Sequence, residues 1–504
     1  MKSAKSGLKW LPVLVAITFV IGLSTRALGQ STYGVLVGTV SDSTGSVIPN
    51  AEVEARNQDT GVTQTTHTDS QGDYLFVNME PGNYTITVSA PSFATEKNVD
   101  VVLPARETVR VDFKLQIQSV SQQVVVTGRQ EVVSEDLTQS SSMSGREIDS
   151  LALNFRATNA PSPITTATLT AGVNEDPGGN LTFSGQLPTA TSFTLDGTSI
   201  QLVRYGGPTK DLFPSVEGIA EFRVNTAGND AEYAQPTDLT VVTKSGTNQL
   251  HGSAFWFLQR MSWNSMDPIA DYNPSLNANT LGGSIGGPII KDHTFFYFDY
   301  EGVRLNQNPL IATQTVPTAW ASGDLSGVPG LTLTNPLTGQ VISGNKITNI
   351  NPTAAKILPL FFPTPTNSSA NIDATGNNLV TTIPGKYSEN GYDGRIDHIF
   401  NANHRIFFRI TQKNPSDTGT DPTAAIGALG TSGDNNYNPL MGTFTTTLDA
   451  TNLAVSYNWV IRPDLLNELR GGWTRANFNY SYPQAKQGDS IISQLGITGL
   501  PGPP

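Results

Sequence analysis

The sequence predicts a mainly β protein that contains several domains. Charged residues make up only 14% of the 504 residues, while glycine (47) and proline (32) are frequent, a composition typical of short strands separated by turns. Turn signals recur about every 8 to 12 residues near the N-terminus, and apolar and polar residues alternate strictly in the second half. The length allows roughly two to four domains.

The first 29 residues have the features of a secretory signal. Lys2, Lys5 and Lys9 precede an apolar run at 10–23, and residues 27–29 are small where a signal peptidase would cleave. A run of about 14 apolar residues is short of the roughly 20 that span a bilayer, so cleavage after Gly29 is favoured over a transmembrane anchor. Residues 1–29 are therefore predicted to be removed on export.

Charge and cysteine content exclude several classes of function. The net charge is −12, and removing the signal, which has four basic residues and no acidic one, leaves 26 basic and 42 acidic residues and a net charge of −16. Such a surface repels phosphates, so no nucleic-acid partner is expected. The chain has no cysteine, which excludes disulfides, cysteine zinc sites and thiol catalysis.

Residues 33–117 predict a β-sandwich. The segments 38–42, 68–76 and 81–93 combine alternating strands with turns, and they occur in the order found in the carboxypeptidase regulatory-like domain, which this region resembles. The resemblance implies a transthyretin-like sandwich with a carbohydrate-binding-like fold. It implies no peptidase activity, because this domain accompanies such enzymes without containing their catalytic residues. Tyr84 and Phe93 are expected in the core rather than in a ligand site.

Residues 118–248 predict an α+β domain. An Asp196-Gly197 turn is followed by a short helix behind Pro214, a strand of period two at 219–224, and a strand that ends in a glycine turn at 241–248. In this order these features resemble the plug of a TonB-dependent outer-membrane transporter. Plugs begin with a helix and a strand, and a capping box at 144–147 predicts that helix.

One segment of the predicted plug departs from the family. After the Glu232-Tyr233 pair, plugs are rich in glycine, whereas residues 234–238 include Pro236. The local backbone geometry is therefore expected to differ there.

A short segment between the two domains has the composition of a docking strand, namely Val124, Val125, Val126, Thr127 and Gly128. In TonB-dependent receptors the TonB box lies here and pairs as an added strand with a TonB-type energy-coupling protein, which the resemblance implies as a partner. Such main-chain pairing requires extended, β-branched residues more than particular side chains. An ordinary linker strand is the alternative, since no acidic residue directly precedes Val124.

Residues 249–504 predict the first part of an antiparallel transmembrane β-barrel. Ile406, Phe408 and Ile410 alternate with Arg405 and Arg409, the pattern of strands that are apolar toward lipid and polar toward a lumen. Residues 452–459 repeat it, and further candidate strands are 252–260, 281–289, 294–301, 392–400 and 466–480. The aromatic residues expected at the membrane interfaces are Trp256, Tyr297, Tyr300, Trp459 and Trp473. A soluble sandwich is the alternative, because alternation alone does not distinguish lipid from core.

Four segments of this region resemble the Oar-like type of TonB-dependent receptor: 242–254, 281–292, 295–302 and 395–398. The resemblance implies an outer-membrane location and an extracellular ligand of unknown identity. Residues from about 306 to 388 are rich in Pro, Asn and Thr and predict a long external loop, where ligand contact is expected.

No enzyme, cofactor or metal site is expected. Residues 282–286 match the Gly-x-Ser-x-Gly pattern of hydrolases, but Pro288 and the surrounding glycines favour a barrel strand over a nucleophile elbow. The histidines lie far apart and lack the spacing of zinc peptidases.

The sequence thus predicts an outer-membrane TonB-dependent receptor that imports an extracellular ligand through a plugged barrel. The alternative is a surface or periplasmic binding protein whose sandwich recognises glycan or peptide. Residues 249–504 provide about seven predicted strands, whereas plugged transporters have 22. We therefore expect the chain to be part of a longer protein, through a truncated gene or a fragmentary gene model.

Overall fold

The computed structural model describes most of the chain from residue 32 onward. The described residues are 32–117, 133–134, 139–150, 163–175, 181–187, 190–201, 212–227, 235–266, 275–308, 310–313, 315–362, 364–366, 378–382, 385–418, 445–462, 465–481 and 495–498. The predicted signal peptide and the predicted TonB box at 124–128 lie outside these residues. No helix in the described ranges is long and apolar enough to cross a membrane.

The N-terminal domain is a sandwich of two sheets. Its strands are β1 (Gly34–Asp42), β2 (Glu52–Asn57), β3 (Thr63–His67), β4 (Asp73–Met79), β5 (Gly82–Ser89), β6 (Glu96–Leu103), β7 (Thr108–Arg110) and β8 (Phe113–Leu115). A ninth strand, β9 (Val133–Ser134), comes from further along the chain and pairs with the same sandwich. One sheet has the order β4-β1-β7-β9, with β8 also paired to β1, and the other has the order β3-β2-β5-β6. Alternate residues such as Val53, Ile86 and Phe113 fill the space between the sheets. Tyr84 lies in this core as predicted, and Phe93 packs against it.

The second domain, here called the plug after the predicted resemblance, contains a five-stranded mixed sheet, the plug sheet. Its elements are β10 (Gln139–Ser144), a helix (Gly145–Ser150), a 3₁₀ helix (Pro163–Leu169), β11 (Val173–Glu175), β12 (Leu181–Phe183), β13 (Thr191–Leu195), β14 (Thr198–Ser199), a 3₁₀ helix (Val216–Gly218), β15 (Ile219–Ala227) and β16 (Thr237–Thr243). The sheet order is β10-β15-β16-β13-β14, and β13 runs parallel to β16. Phe193, Phe222 and Leu239 belong to its core, which also includes Leu448 and Ala450 from the C-terminal region.

The local features predicted in this domain are present. Asp196 (φ 46°) and Gly197 (φ 72°) form the tight turn between β13 and β14, and positive φ at both positions fits a primed hairpin turn. Ser144 and Glu147 form the capping box: the Ser144 N–H donates to the Glu147 carboxylate (2.7 Å), and the Glu147 N–H donates to the Ser144 hydroxyl (3.3 Å). Pro236 directly precedes β16, a position at which the ladder does not need its missing N–H.

The C-terminal region is one antiparallel sheet of eight strands, here called the barrel sheet. Its strands are β17 (His251–Arg260), β18 (Ser275–Ile290), β19 (Thr294–Asn308), β22 (Gly385–Asn401), β23 (His404–Lys413), β24 (Ser416–Thr418), β25 (Thr445–Arg462) and β26 (Leu465–Ser481). The sheet order is β17-β18-β19-β22-β23-β25-β24, and β26 pairs with β25. Among the described strands β17 and β26 do not pair with each other, so this part of the sheet is open.

The predicted faces of β23 are confirmed. Arg405, Arg409 and Thr411 are buried on one side of β23, while Phe408 and Ile410 are exposed on the other. The predicted bounds of 252–260 and 466–480 agree with β17 and β26 to within one residue at each end, whereas β18, β19, β22 and β25 extend well beyond the predicted 281–289, 294–301, 392–400 and 452–459.

The predicted long loop also begins later and ends earlier than expected. β19 extends to Asn308 and β22 begins at Gly385, which leaves 309–384 between them. The described part of this segment contains two short strands that pair with each other across it, β20 (Leu310–Thr313) and β21 (Leu379–Thr382), and three helices: Thr318–Ala321, Ser343–Asn345 and Pro352–Phe361. Asn351 caps the last helix by accepting from the Thr353 N–H (2.8 Å).

The two ends of the barrel sheet differ in their connections. At one end, here called the turn end, only a few residues separate neighbouring strands, as at 291–293 and 402–403. At the other, here called the loop end, the strand ends Arg260, Ser275, Asn308, Gly385, Thr418 and Thr445 precede or follow longer connections. A barrel inserted in the outer membrane places short turns toward the periplasm and long loops outside the cell.

Candidate functional site: the contact between plug and barrel sheet

The Asp196 turn is bound by two arginines of the barrel sheet. Within the second domain, Asp196 accepts hydrogen bonds from the N–H (2.9 Å) and the hydroxyl (2.8 Å) of Thr243 on β16. Across the domain contact, its carboxylate forms ion pairs with Arg409 (2.7 Å) and Arg395 (3.4 Å). All three charged side chains are buried, so the turn residue of the sequence pattern is also an anchor to the sheet.

Arg395 and Arg409 lie directly opposite each other on β22 and β23. Two like charges at paired positions repel, and burial increases that repulsion. Arg395 also binds Asp397 (2.8 Å) and the Thr243 carbonyl (3.1 Å), whereas Arg409 binds Asn452. Asp196 is the carboxylate that both arginines share, so the plug turn provides a charge that the two strands need.

A second contact joins the plug to two acidic residues of the barrel sheet instead of two basic ones. Asp299 on β19 and Asp393 on β22 are paired directly across the sheet, and both bind Ser215. The Ser215 hydroxyl donates to Asp299 (2.5 Å), and the Ser215 N–H donates to Asp393 (3.2 Å). Thr411 on β23 donates a further hydrogen bond to Asp393 (2.5 Å). The plug therefore gives an acceptor to two opposed arginines and donors to two opposed aspartates; we call these two contacts the plug seat.

The short helix behind Pro214 brings the plug backbone close to the sheet. Ser215 caps this helix by accepting from the Gly218 N–H (3.2 Å), and the Glu217 carbonyl accepts from the Tyr297 hydroxyl (2.5 Å). A Cβ at Gly218 would lie 2.6 Å from the Asp299 carboxylate, so only glycine fits there.

The sandwich contacts the turn end of the barrel sheet. Asn248 lies between them: its side-chain amide donates to the Thr60 carbonyl, its own N–H donates to the Asp59 carbonyl (3.2 Å), and its side-chain oxygen accepts from the Asp292 N–H (2.8 Å). Asn458 donates to the Tyr33 hydroxyl (2.8 Å). Burial raises the pKa of the Tyr33 phenol, which stays neutral as this contact requires.

A second pair of side chains crosses the same boundary. Arg405 on β23 lies 3.5 Å from Glu80 of the sandwich, and its guanidinium lies over the Tyr33 ring at 5.6 Å. A cavity of about 10 Å³ beside Glu80 and Arg405 has room for about one water molecule.

The hydrolase-like motif lies in a barrel strand, as predicted. Ser284 is in the middle of β18, paired with Asp299 on one side and Ser253 on the other. Its hydroxyl forms a hydrogen bond with the Ser253 hydroxyl (2.9 Å). Within the described part of the chain, no group of three His, Asp or Glu side chains could hold a metal ion.

The structure corrects one of the predicted interfacial aromatic residues. Trp256, Trp459 and Trp473 are exposed on the outer face, but Tyr297 is buried on the inner face and contacts the plug. Tyr297 shares the inner face with Asp299 because strand faces repeat every two residues, whereas Tyr300 falls on the opposite face. Tyr297 and Tyr300 are three positions apart and so cannot lie on the same face of the strand. The prediction that both face the membrane interface is therefore wrong for Tyr297.

Two family models match the chain. The outer membrane beta barrel domain matches residues 242–504, and the carboxypeptidase regulatory-like domain matches residues 35–116. The first match covers more than half of the chain, and the second covers the sandwich.

The chain is also similar to named relatives. It is 26% identical over 305 residues to the TonB-dependent transporter Oar of Myxococcus xanthus, a match that covers 56% of this chain and 28% of the relative, so the chain spans less than a third of that relative's length. Among solved structures, the siderophore receptor PirA of Acinetobacter baumannii matches at 16% identity and a TM-score of 0.38, covering 67% of this chain and 40% of PirA. The outer membrane transporter YddB of Escherichia coli matches at 9% identity and a TM-score of 0.40, covering 68% of this chain and 40% of YddB.

The sandwich occupies the residues of the second family match, and the alternating barrel strands from β17 onward lie within the residues of the first. The chain therefore belongs to the outer membrane beta barrel family, with a carboxypeptidase regulatory-like domain at its N-terminus, and it is similar to the TonB-dependent transporter Oar.

Proposed function

We propose that this chain is part of a TonB-dependent receptor that binds a ligand outside the cell and imports it through a plugged barrel. The observation that carries the proposal is the plug seat, where Asp196 and Ser215 bind opposed arginines and opposed aspartates on the inner face of the barrel sheet. A domain held in a barrel lumen by such contacts is positioned to block the pathway. Import then requires these contacts to be exchanged or broken.

The chemistry of the plug seat suits a part that moves. Most of its contacts are ion pairs and hydrogen bonds between side chains, whose groups can bind water when they separate. The apolar contribution of the barrel sheet to the plug core is small: among the described residues, Leu448 and Ala450 are buried in it and Ala476 packs against it. A displaced plug therefore exposes mainly polar groups to the lumen.

The loop end is the proposed ligand side. The described part of 309–384 contains the paired strands β20 and β21 and a capped helix (Pro352–Phe361), so the loop end carries folded elements. Short turns at the opposite end agree with a periplasmic position for the sandwich. This arrangement argues against the alternative in which the sandwich binds glycan or peptide at the cell surface.

We propose that Val124, Val125, Val126, Thr127 and Gly128 form the TonB box and pair with a TonB-type partner as an added strand. Val126→Pro removes one N–H and cannot continue a ladder, so we expect binding of the partner's purified periplasmic domain to weaken by at least about tenfold. The measurement is titration calorimetry with the full chain in detergent micelles.

Ser121→Pro is the matched control, because it places the same residue in the same linker outside the predicted box. Its affinity should equal that of the unaltered chain. Equal binding by the Val126→Pro chain and the unaltered chain would show that residues 124–128 are an ordinary linker, and no binding by any of the three chains would remove the TonB-dependent function itself.

A further inference from the structure

A loop of the sandwich inserts into the plug sheet. Residues 105–107 between β6 and β7, here called the clasp loop, contact β15 and β16. Arg106 forms an ion pair with Asp238 and donates to the Thr240 hydroxyl (3.2 Å). The Arg106 and Asp238 side chains are 8% and 1% exposed. Arg106 has a φ of 62°, a conformation that an arginine keeps only when its surroundings stabilise it.

The neighbouring residue binds the plug through both of its backbone groups. The Ala105 N–H donates to the Glu221 carboxylate (2.8 Å), and the Ala105 carbonyl accepts from Arg223 (2.5 Å). Arg223 also contacts Glu107 of the clasp loop (3.3 Å) and the Ser140 hydroxyl on β10 (3.1 Å). Three strands of the plug sheet, β10, β15 and β16, are thus connected to one sandwich loop.

The sandwich is bound to the barrel sheet as well as to the plug. Asn248 and Asn458 hold it at the turn end through Thr60 and Tyr33. A plug that moves relative to the barrel must therefore break either the clasp contacts or the turn-end contacts. Because the Arg106–Asp238 pair is buried, losing one partner would leave an uncompensated charge.

The chain path also connects the sandwich to the segment that precedes the plug. β9 (Val133–Ser134) pairs with β7 of the sandwich, Val109 with Ser134 and Arg110 with Val133, and β10 then joins the plug. A pull applied on the N-terminal side of β9 thus reaches the sandwich before it reaches the plug sheet.

We infer that the sandwich is a latch for the plug: the clasp loop holds β15 and β16 in the resting position, and tension on the preceding segment releases it before the plug moves. The inference rests on the proposed function for the origin of that tension. The latch itself is a property of the resting protein and can be tested without a ligand or a coupling partner.

The test is hydrogen–deuterium exchange on the full chain in lipid nanodiscs. Arg106→Met keeps most of the side-chain volume and removes the charge, and we expect amides of β15 and β16 to exchange at least about tenfold faster. Arg110→Met is the control, because Arg110 forms a partly exposed pair with Asp112 (3.1 Å) beside the same loop. Exchange in the control should stay within about twofold of the unaltered chain.

Two further variants keep the test decisive if Arg106→Met does not fold. Glu107→Gln retains the Arg106–Asp238 pair and weakens the contact with Arg223, so an intermediate acceleration of about threefold is expected. Exchanging the charges, with Arg106→Asp and Asp238→Arg together, should restore part of the protection.

Unchanged exchange of β15 and β16 in Arg106→Met would overturn the latch, as would unchanged exchange in Glu107→Gln if the first variant does not fold. Binding of the TonB-type domain should be unaffected by Arg106→Met. Failure of that binding in every chain would contradict the proposed function while leaving the exchange result valid.

Discussion

The sandwich and the barrel sheet alternate apolar and polar residues with the same period but bury opposite kinds of side chain. In the sandwich the inward residues are apolar, as Val53 and Ile86 show, and both are fully buried. In the barrel sheet the inward residues include Arg409 and Asn452, while Phe408 faces outward and is 46% exposed. Alternation of apolar and polar residues therefore defines the two faces of a strand, but it does not say which face packs against another part of the protein. On the inner face of the barrel sheet, Asp196 of the plug provides the charge that matches Arg395 and Arg409.

The difference between the two regions is tested most strongly by replacing one isoleucine in each region with lysine. Ile86→Lys puts an ammonium in the closed sandwich core and should cost at least about 4 kcal/mol, so the sandwich should lose its resistance to proteolysis. Ile396→Lys lies on the outer face, where 47% of the residue is exposed, and should cost about 2–4 kcal/mol in a bilayer while the sandwich stays folded.

The two regions can be followed separately in that experiment. Apart from Trp10 in the predicted signal, all tryptophans lie between residues 256 and 473, so tryptophan fluorescence reports the barrel sheet and its loops, and protease protection reports the sandwich. Equal loss of sandwich protection in both variants would contradict the assignment of Ile396 to the lipid-facing side.

A second prediction concerns the charges inside the barrel sheet. Asp196→Ala leaves Arg395 and Arg409 opposed without their shared carboxylate and should cost about 3–5 kcal/mol. The measurement is the urea concentration at which the plug strands lose protection from exchange. Asp112→Ala is the control, since its side chain is 57% exposed and its pair with Arg110 should contribute less than about 1 kcal/mol. Similar midpoints for the two variants would mean that the plug seat does not hold the plug.

The smallest expected effect is a dependence on pH at the clasp. Burial raises the pKa of the Glu221 carboxyl to about 7, so between about pH 4.5 and 7 the folded chain retains a proton that the unfolded chain releases. The resulting stability is fully present below about pH 4.5 and is lost as the pH rises through 7. Glu221→Gln should therefore remove up to about 3 kcal/mol of this pH dependence.

Denaturant midpoints at pH 5 and pH 8 measure that effect. The side-chain amide introduced by Glu221→Gln stays neutral and can still accept from the Ala105 N–H, so the midpoint of this variant should change less between the two pH values than that of the unaltered chain. Asp112→Asn, which neutralises an exposed carboxylate, should leave the difference as it is. The same difference in the unaltered and Glu221→Gln chains would show that Glu221 does not titrate in this range.

Local features of the fold could be predicted because they depend on neighbouring residues. The Asp196-Gly197 turn, the Ser144–Glu147 capping box and the faces of β23 each follow from spacing within a few positions. The contact of Asp196 with Arg395 and Arg409 could not be predicted in the same way. It joins residues about 200 positions apart and depends on the register between β22 and β23, which no local pattern contains.

The contacts of the clasp loop could not be predicted from the sequence for a similar reason. Ala105, Arg106 and Glu107 look like an ordinary turn between two strands, and their partners Asp238 and Arg223 look like ordinary strand residues. Only the placement of two domains brings them together. The predicted bounds of β18, β19, β22 and β25 were too short, because each of these strands stays paired with its neighbours beyond the segment in which alternation was recognised.

The opposed arginines of the plug seat have a consequence for how this chain can evolve. A change at Asp196 leaves Arg395 and Arg409, on separate strands, without the carboxylate that they share. A change at either arginine leaves the other as the single cation beside Asp196 in this contact. Substitutions at positions 196, 395 and 409 should therefore be accepted together rather than singly. Plugs and barrels taken from diverged relatives should fail to combine unless these three positions match.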